Sequence, residues 1–468
     1  MQYLHRERKE ETVGLVVTPK ADGHLTKFKR EGLKFQLTGA QDRVVGELLA
    51  DMASGQQMNR LVQGDVGSGK TVVALLSMLA TMDSGYQVCM MAPTEILAQQ
   101  HFKSISNMLA SQKDIRVALL TGSMKQKERK PLLEALANGE IDILVGTHIL
   151  TQEYVQFHNL GLAVIDEQHR FGVYQRSVLW EKSRHLNPHI LIMSATPIPR
   201  TLAMTLYGDL DVSIINELPP GRTPIITKHA YTHQMADVNQ FIFQQLSEGR
   251  QCYIVFPLIE ESEKVDLMSL EEGYEQFKHA FPAHKVGMVH GKLKPEVKEE
   301  EMRKFASGET NILVATTVIE VGVDVPNATV MVITSAERFG LSQLHQLRGR
   351  VGRGSHQSYC ILVSGDSIGE TSLQRIQIMC QSTDGFYLAE QDLKIRGHGD
   401  MEGTRQSGVG LDLRIADLSE DGRYVQFCSN LVGHILKEDP ELRLDKNRLL
   451  RLRLDKMLVN EKDWGLIS

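Results

Sequence analysis

The sequence predicts an α/β protein of two consecutive lobes, each a parallel sheet with helical crossovers, followed by a mixed helical C-terminal region. Three observations carry this. Short β-branched or aliphatic runs alternate with stretches of helical spacing, the pattern of buried parallel strands joined by crossovers. The cluster Leu218-Pro219-Pro220-Gly221-Arg222-Thr223-Pro224 breaks both periodicities, and the same alternation resumes after it. The length of 468 residues is too great for one core and calls for about three packing units.

In the first lobe the expected strands are Arg60–Gln63, Val88–Met91, Ile143–Gly146, Leu162–Ile165 and Ile190–Met193, each ending at a polar or glycine-containing turn. Between them Val72–Met82 and Ile96–Leu109 carry helical spacing. The second lobe repeats the scheme with Cys252–Phe256, Val286–Val289, Ile312–Ala315, Val330–Thr334 and Tyr359–Val363. From about residue 370 follow an amphipathic Thr371–Cys380, a glycine-rich stretch Gly397–Gly410 and a charged, leucine-rich tail Glu441–Leu458. Residues 1–30 are charged and weakly patterned, and read as a linker from something upstream. The expected divisions are 31–217, 218–370 and 371–468. No repeat of solenoid period is present.

Apolar residues make up 42% and charged residues 24%, an ordinary globular mixture. The longest nearly unbroken apolar stretch, Val72–Met82, is far short of the ~20 residues that span a bilayer. The charged N-terminus lacks the apolar core of a signal peptide. Five cysteines form no CxxC pair and read as reduced thiols of a cytoplasmic protein. The net charge of −6 gives no global signature of a nucleic-acid binder, so any such site must be a local basic groove.

Gly64-Asp65-Val66-Gly67-Ser68-Gly69-Lys70-Thr71 fits GxxxxGK[ST], after an apolar strand and before a good helix, the context the motif requires. Its glycines let backbone N–H groups turn inward around phosphates, and the helix N-terminus adds partial positive charge. Lys70 is placed to reach the β- and γ-phosphates of ATP, and Thr71 to give a hydroxyl to Mg²⁺. The run Ala163-Val164-Ile165-Asp166-Glu167-Gln168-His169 ends a strand in adjacent carboxylates. Asp166 can hold the Mg²⁺ shell, and Glu167, pointing the other way, can activate the attacking water. Alone, such a pair is usually a solvated turn; about a hundred residues beyond a phosphate loop, catalysis is the better reading. Upstream, Phe35 can pack on a base and the Gln41 amide can read the edge of adenine.

These segments, with others in order, resemble the superfamily 2 helicases over residues 35–353. Phe35–Gln41 resembles the Q motif, Gly64–Thr71 motif I, and Ala92-Pro93-Thr94-Glu95 motif Ia. Thr121-Gly122 and Gly146-Thr147-His148 resemble the next two DNA-contacting segments, Asp166–His169 motif II, and Ser194-Ala195-Thr196 motif III. In the second half His290-Gly291, Ala315–Asp324 and Gln346-Leu347-Arg348-Gly349-Arg350-Val351-Gly352-Arg353 resemble motifs IVa, V and VI. The resemblance implies two tandem RecA-like lobes that close over ATP. Arg350 and Arg353 form a planar donor pair aimed at phosphate oxygens. Gly322 and Asp324 are implied on the nucleotide, and Gln168, His169, Ser194, Thr196 and Gln346 as coupling residues. Pro93, Thr94, Thr121, Gly122, Thr147, His148, His290, Gly291, Thr316 and Thr317 are implied on the nucleic-acid backbone, where contacts position a strand without reading it. Aromatics total only 6%, which argues against base-by-base stacking on single strands.

Beyond motif VI, Asp392–Gly408 (DLKIRGHGDMEGTRQSG) closely resembles the TRG translocation element shared by the RecG and Mfd families, a helical hairpin and loop that push on duplex DNA. The hairpin is expected at Ser372–Ile395, with Arg396 and Gln406 as coupling residues. Asp166–Arg176 and Ser194–Ile225 are similar to the RecG family nearly throughout, whereas the Mfd family is expected to carry Glu at the position of Gln168. Membership of the RecG family implies an ATP- and Mg²⁺-dependent helicase acting on duplex and branched DNA, in fork reversal and Holliday-junction branch migration during repair and recombination. It further implies a monomer at the nucleoid and single-stranded-DNA-binding protein as a partner. About 30 residues precede the Q motif, too few for the wedge domain of that family, so the chain reads as a fragment or a short form and autonomous fork recognition is in doubt. Three other readings are weaker: an Mfd-like translocase that displaces a stalled polymerase, a catalytically idle DNA clamp, and an RNA helicase. Intact Lys70, Thr71, Asp166, Glu167, Arg350 and Arg353 speak against the clamp, and the motif II pattern with the TRG-like element against an RNA substrate.

Overall fold

The computed structural model describes residues 13–167, 182, 186–195, 210–219, 223–257, 263–316, 325–396 and 421–460. Two all-parallel sheets organise them. The first runs in the order β3-β4-β2-β5-β6-β1-β7. Its strands are β1 Asn59–Gly64, β2 Gln87–Met91, β3 Val117–Leu120, β4 Ile143–Gly146, β5 Leu160–Asp166, β6 His189–Ser194 and β7 Asp211–Ile215. The second runs β10-β11-β9-β12-β13-β8. It is built from β8 Ile226–Tyr231, β9 Gln251–Val255, β10 Val286–Val289, β11 Ile312–Ala315, β12 Ala328–Ile333 and β13 Tyr359–Ser364.

Alternation along each central strand feeds two cores. In β5, Leu162 and Val164 join the cluster on one face while Leu160, Ala163 and Ile165 join that on the other. β9 does the same in the second lobe, with Tyr253 and Val255 opposite Cys252 and Ile254. Helices must then cover both faces, since a parallel sheet buried on both sides has no solvated face. In the first lobe they are α1 Gly39–Ala53, α2 Lys70–Asp83, α3 Glu95–Met108 and α4 Gln126–Ala137. In the second they are α5 Met235–Ser247, α6 Glu263–Ala280, α7 Pro295–Ala306 and α8 Leu341–Arg348. Two further helices, α9 Glu370–Gln381 and α10 Gly385–Arg396, form a hairpin packed on α8, and α11 Gly422–Glu438 and α12 Arg448–Asn460 follow. The hairpin thus lies where the sequence expects it. Among the described residues no helix is long and apolar enough to cross a membrane.

The segment set aside as a linker is, from residue 13, part of the first lobe. Leu15, Val17, Leu25 and Phe28 are buried, the Val17 N–H donates to Met52 O at 2.9 Å, and Asp83 accepts from the backbone of His24 at 2.6 Å. Four apolar side chains scattered among charges show no period, which is why the sequence pattern hides them. Cys89, Cys252 and Cys360 are buried as well, and burial pushes the Cys89 and Cys360 thiols up to about 12.

Candidate active site

The phosphate loop joins β1 to α2. Gly67 and Gly69 stand at φ of 79° and 85°, the left-handed region open to glycine without strain. A β-carbon on Gly69 would lie 2.2 Å from Gln41 Nε2, and one on Gly64 2.4 Å from Ser68 Oγ, so the loop is closed to larger residues on both counts. The Lys70 ammonium donates to Gly64 O at 2.7 Å and Asp65 O at 3.0 Å. These carbonyls stand where phosphate oxygens would otherwise take its protons. Ser68 Oγ is buried without a hydrogen-bond partner, an orphan polar atom inside the cradle. An anionic ligand with several acceptors suits this set.

At the end of β5 the Asp166 carboxylate receives a 2.7 Å hydrogen bond from His101 Nε2 on α3. Glu167 follows in the left-handed region at φ 54°, a conformation that costs a side-chain-bearing residue ~1–2 kcal/mol. The turn sends its carboxylate away from Asp166 and onto the N–H of Ala195, which donates at 3.3 Å. Motif II is thereby tied to motif III. Burial and the neighbouring Asp166 charge push the Glu167 carboxyl up to about 7, against the opposing charges of Lys70 and Arg350. Burial raises Asp166 too, but the hydrogen bond and charge of His101, with Lys70, outweigh it and hold that carboxyl below its usual range. Burial depresses the Lys70 ammonium, with Glu167, Asp166 and Asp65 opposing and Arg353 adding to the depression. Two adjacent carboxylates are thus pushed apart, one fixed as an anion and one able to take a proton near neutrality.

The second lobe closes on this site. A β-carbon on Gly349, at the end of α8, would lie 2.9 Å from Val66 Cβ, so the absence of a side chain permits the approach. Arg350 is near enough to lower Glu167, and Arg353 near enough to lower Lys70. The expected arginine pair therefore lies within electrostatic reach of the phosphate-loop lysine and the motif II glutamate. Between the lobes Gln99 Nε2 also donates to Glu299 at 3.3 Å.

The expected nucleic-acid positions within the described residues, with Ser194, lie at the C-terminal ends of parallel strands, the edge where open α/β sheets bind ligands. The first sheet is divided. β1, β5 and β6 carry the phosphate loop, Asp166–Glu167 and Ser194, while β2, β3 and β4 carry Pro93–Thr94, Thr121–Gly122 and Thr147–His148. In the second, β10 and β11 end at His290–Gly291 and Thr316. Gly122, His148 and Gly291 are exposed, and Pro93, Thr94 and His290 are half-buried. Thr121, Thr147 and Thr316 are 5%, 2% and 0% exposed, so their hydroxyls sit inside the strand ends and offer little to a bound backbone. Thr94 caps α3, accepting from Leu97 N at 3.3 Å. Phe35 is 48% exposed, but Gln41 is 1% exposed and its amide is engaged within the protein. Gln168, His169, Thr196, Thr317, Gly322, Asp324 and Gln406 lie outside the described residues, as does the side chain of Arg396; Gln346 lies on α8.

Sequence reasoning missed His101, whose signal was position alone, two turns after the Thr94 cap on the same helix. It also missed Arg129 and, beyond its place in motif Ia, the role of Glu95. Glu95 accepts from Ser123 N at 3.0 Å, and Arg129 Nη2 donates to Gly122 O at 2.9 Å, bracing that exposed loop.

Family models match three stretches of the chain. The DEAD/DEAH box helicase model matches residues 38–205, the helicase conserved C-terminal domain 233–355, and the C-terminal part of domain 3 of ATP-dependent DNA helicase RecG 382–468. Fold and matches define the class, a superfamily 2 helicase. ATP-dependent DNA helicase RecG of Aquifex aeolicus is 51% identical over 88% of this chain and 52% of its own length. That of Escherichia coli K12 is 50% identical over 87% and 59%. A solved structure of RecG bound to a three-way DNA junction superposes with a TM-score of 0.76 at 43% identity, covering 91% of this chain and 55% of that one. The chain belongs to the RecG family. It spans a little over half the length of these relatives.

Proposed function

We propose that the chain is an ATP-driven translocase on duplex and branched DNA, the motor of fork reversal and junction branch migration in DNA repair and recombination. One observation carries the reading: the second lobe meets the phosphate loop, His345 Nε2 standing 2.6 Å from Asp65 Oδ1 and Gly349 against Val66, which brings Arg350 and Arg353 within electrostatic reach of Glu167 and Lys70. An ATP site completed from both sides of a cleft links hydrolysis to lobe movement.

ATP fits the cradle of Gly64–Thr71, and Mg²⁺ fits the hard oxygen donors Thr71 and Asp166. Among the described residues no cluster of His, Cys, Asp and Glu could hold a metal by itself. Mg²⁺ is usually held by one or two carboxylates and shared with phosphates and water. Bound there, the ion neutralises charge on the β- and γ-phosphates. Lys70 leaves its two carbonyls for the phosphates, Glu167 takes the proton of the attacking water, and the two arginines meet the charge that builds on the transferring group. The strand ends of β2–β4 and β10–β11 then grip one DNA strand from two lobes. The RecG structure on a three-way junction supports a branched substrate for this chain. Monomeric action and a single-stranded-DNA-binding protein as partner belong to the same proposal.

The test compares ATPase rates without DNA and with single-stranded, linear duplex and forked DNA. The reading expects stimulation by roughly tenfold or more with duplex and forked DNA, a gain of about 1.4 kcal/mol in transition-state stabilisation. A rate indifferent to every DNA would sink it.

A further inference from the structure

His345 on α8 is 4% exposed and links two lobes. Its Nε2 lies 2.6 Å from Oδ1 of Asp65 in the phosphate loop, and its Nδ1 lies 2.9 Å from Nη2 of Arg348. Arginine only donates, so Nδ1 must accept, and the proton sits on Nε2, donated to the carboxylate. A protonated ring would set Nδ1–H against the guanidinium. The tautomer is therefore fixed by its two neighbours. The Asp65 oxygen that His345 holds also accepts from Val66 N at 2.7 Å, so the pair sets the backbone of the loop and not the aspartate alone.

Arg348 continues the chain. It is 2% exposed, and its Nη1 donates to Met379 O at 2.9 Å and Ser382 O at 2.7 Å, the carbonyls that end α9. One guanidinium thus joins His345 to the turn of the α9–α10 hairpin. The path runs from phosphate loop to hairpin in three hydrogen-bonded steps and does not pass through Arg350 or Arg353. Each member is a buried or largely buried polar group, and leaving one unpaired costs more than the bond contributes. A buried polar chain satisfied in this way is rigid.

We propose that His345 is a positioning residue that relays the nucleotide state of the phosphate loop to the base of the hairpin. The proposal rests on the nucleotide reading of the loop given above. Phosphates that draw Lys70 away from Gly64 O and Asp65 O fix Asp65 in one place, and His345 and Arg348 pass that order to Met379 and Ser382.

Hydrogen exchange on the full chain, with and without a non-hydrolysable ATP analogue and Mg²⁺, tests this. Wild type should show slowed exchange both in the loop, residues 64–71, and around the hairpin turn, residues 376–388, the latter by roughly fivefold or more. Two substitutions break different links. In His345→Asn the amide oxygen stands at the Nδ1 position, keeps Arg348 and is too short for Asp65. In His345→Gln the amide nitrogen keeps Asp65, and Arg348 loses its acceptor. Both variants should keep loop protection, which reports nucleotide binding, and lose the hairpin response. A purely structural role would instead speed hairpin exchange equally with and without nucleotide. A hairpin response of wild-type size in either folded variant, or none in wild type despite loop protection, overturns the relay. Absence of loop protection in wild type fails the nucleotide reading and the relay with it.

Discussion

Gln41 Nε2 donates to the carbonyl of Ser68 at 2.8 Å, so the Q-motif glutamine holds the phosphate loop from beneath. The same amide accepts from Thr38 N at 2.9 Å and completes the capping box of α1. Replacing Gln41 by Ala removes both bonds, at a cost of about 1–2 kcal/mol of stability. The loop also loses its support. The KM for ATP should rise by roughly tenfold, about 1.4 kcal/mol, with kcat less affected. Steady-state kinetics check this, and an unchanged KM would contradict it.

The motif II and motif I residues should fail in different ways. Glu167→Gln keeps the shape of the site and removes the proton acceptor, so hydrolysis should fall by roughly 10²-fold or more while ATP still binds. Lys70→Ala removes the phosphate contact and should weaken binding itself. Fluorescent-nucleotide titration beside turnover separates the two; a Glu167→Gln protein with normal turnover would exclude Glu167 as base.

His101 holds Asp166 by a 2.7 Å hydrogen bond. Partners that orient a metal-ligating carboxylate typically contribute ~10–100-fold in metal affinity. His101→Ala should therefore raise the Mg²⁺ concentration for half-maximal ATPase by roughly tenfold. Nucleotide binding measured without metal should not move. A magnesium titration that overlays wild type would refute the assignment.

Arg350 and Arg353 should not tolerate lysine. A point charge cannot reproduce a planar fork, and arginine fingers contribute ~10³-fold or more to turnover. Arg350→Lys and Arg353→Lys should each cut kcat heavily at nearly constant ATP affinity. A loss confined to KM would make them binding residues only.

His189 gives a pH dependence of stability. Its ring is fully buried, accepting from Met58 N at 3.0 Å on Nδ1 and facing Leu15 O at 3.0 Å on Nε2. Burial pushes it down to about 4 from 6.5, the Leu15 carbonyl opposing. The folded protein thus refuses a proton that the unfolded chain accepts. Stability is full above pH ~6.5 and falls by about 3 kcal/mol as pH drops to ~4. Denaturant midpoints across that range should slope down on acidification in wild type and less so in His189→Gln; parallel slopes would contradict this.

Central strands were legible because burial on both faces makes runs such as Leu162–Ile165 uniformly apolar. Edge strands were less so: Val286–Val289 was read, but others were not. Asp211–Ile215 and Ile226–Tyr231 are partly exposed and mix polar with apolar residues, so they match no single period. In the site, the residues placed by local sequence, Gly64–Thr71 and Asp166–Glu167, could be read from their context. Those that act across the fold could not. His101 meets Asp166 over 65 positions and His345 meets Asp65 over 280, and only folding brings each pair together. Gln41 shows the intermediate case, with the residue found and its contact different from the expected adenine edge.

We expect ATP hydrolysis among Lys70, Glu167, Arg350 and Arg353 to drive movement along duplex DNA. Displacement of a third strand from a DNA triplex measures this most directly. Wild type with ATP and Mg²⁺ should strip the third strand, and neither Lys70→Ala nor wild type without ATP should do so. DNA-stimulated hydrolysis by wild type with the triplex left intact would contradict the account.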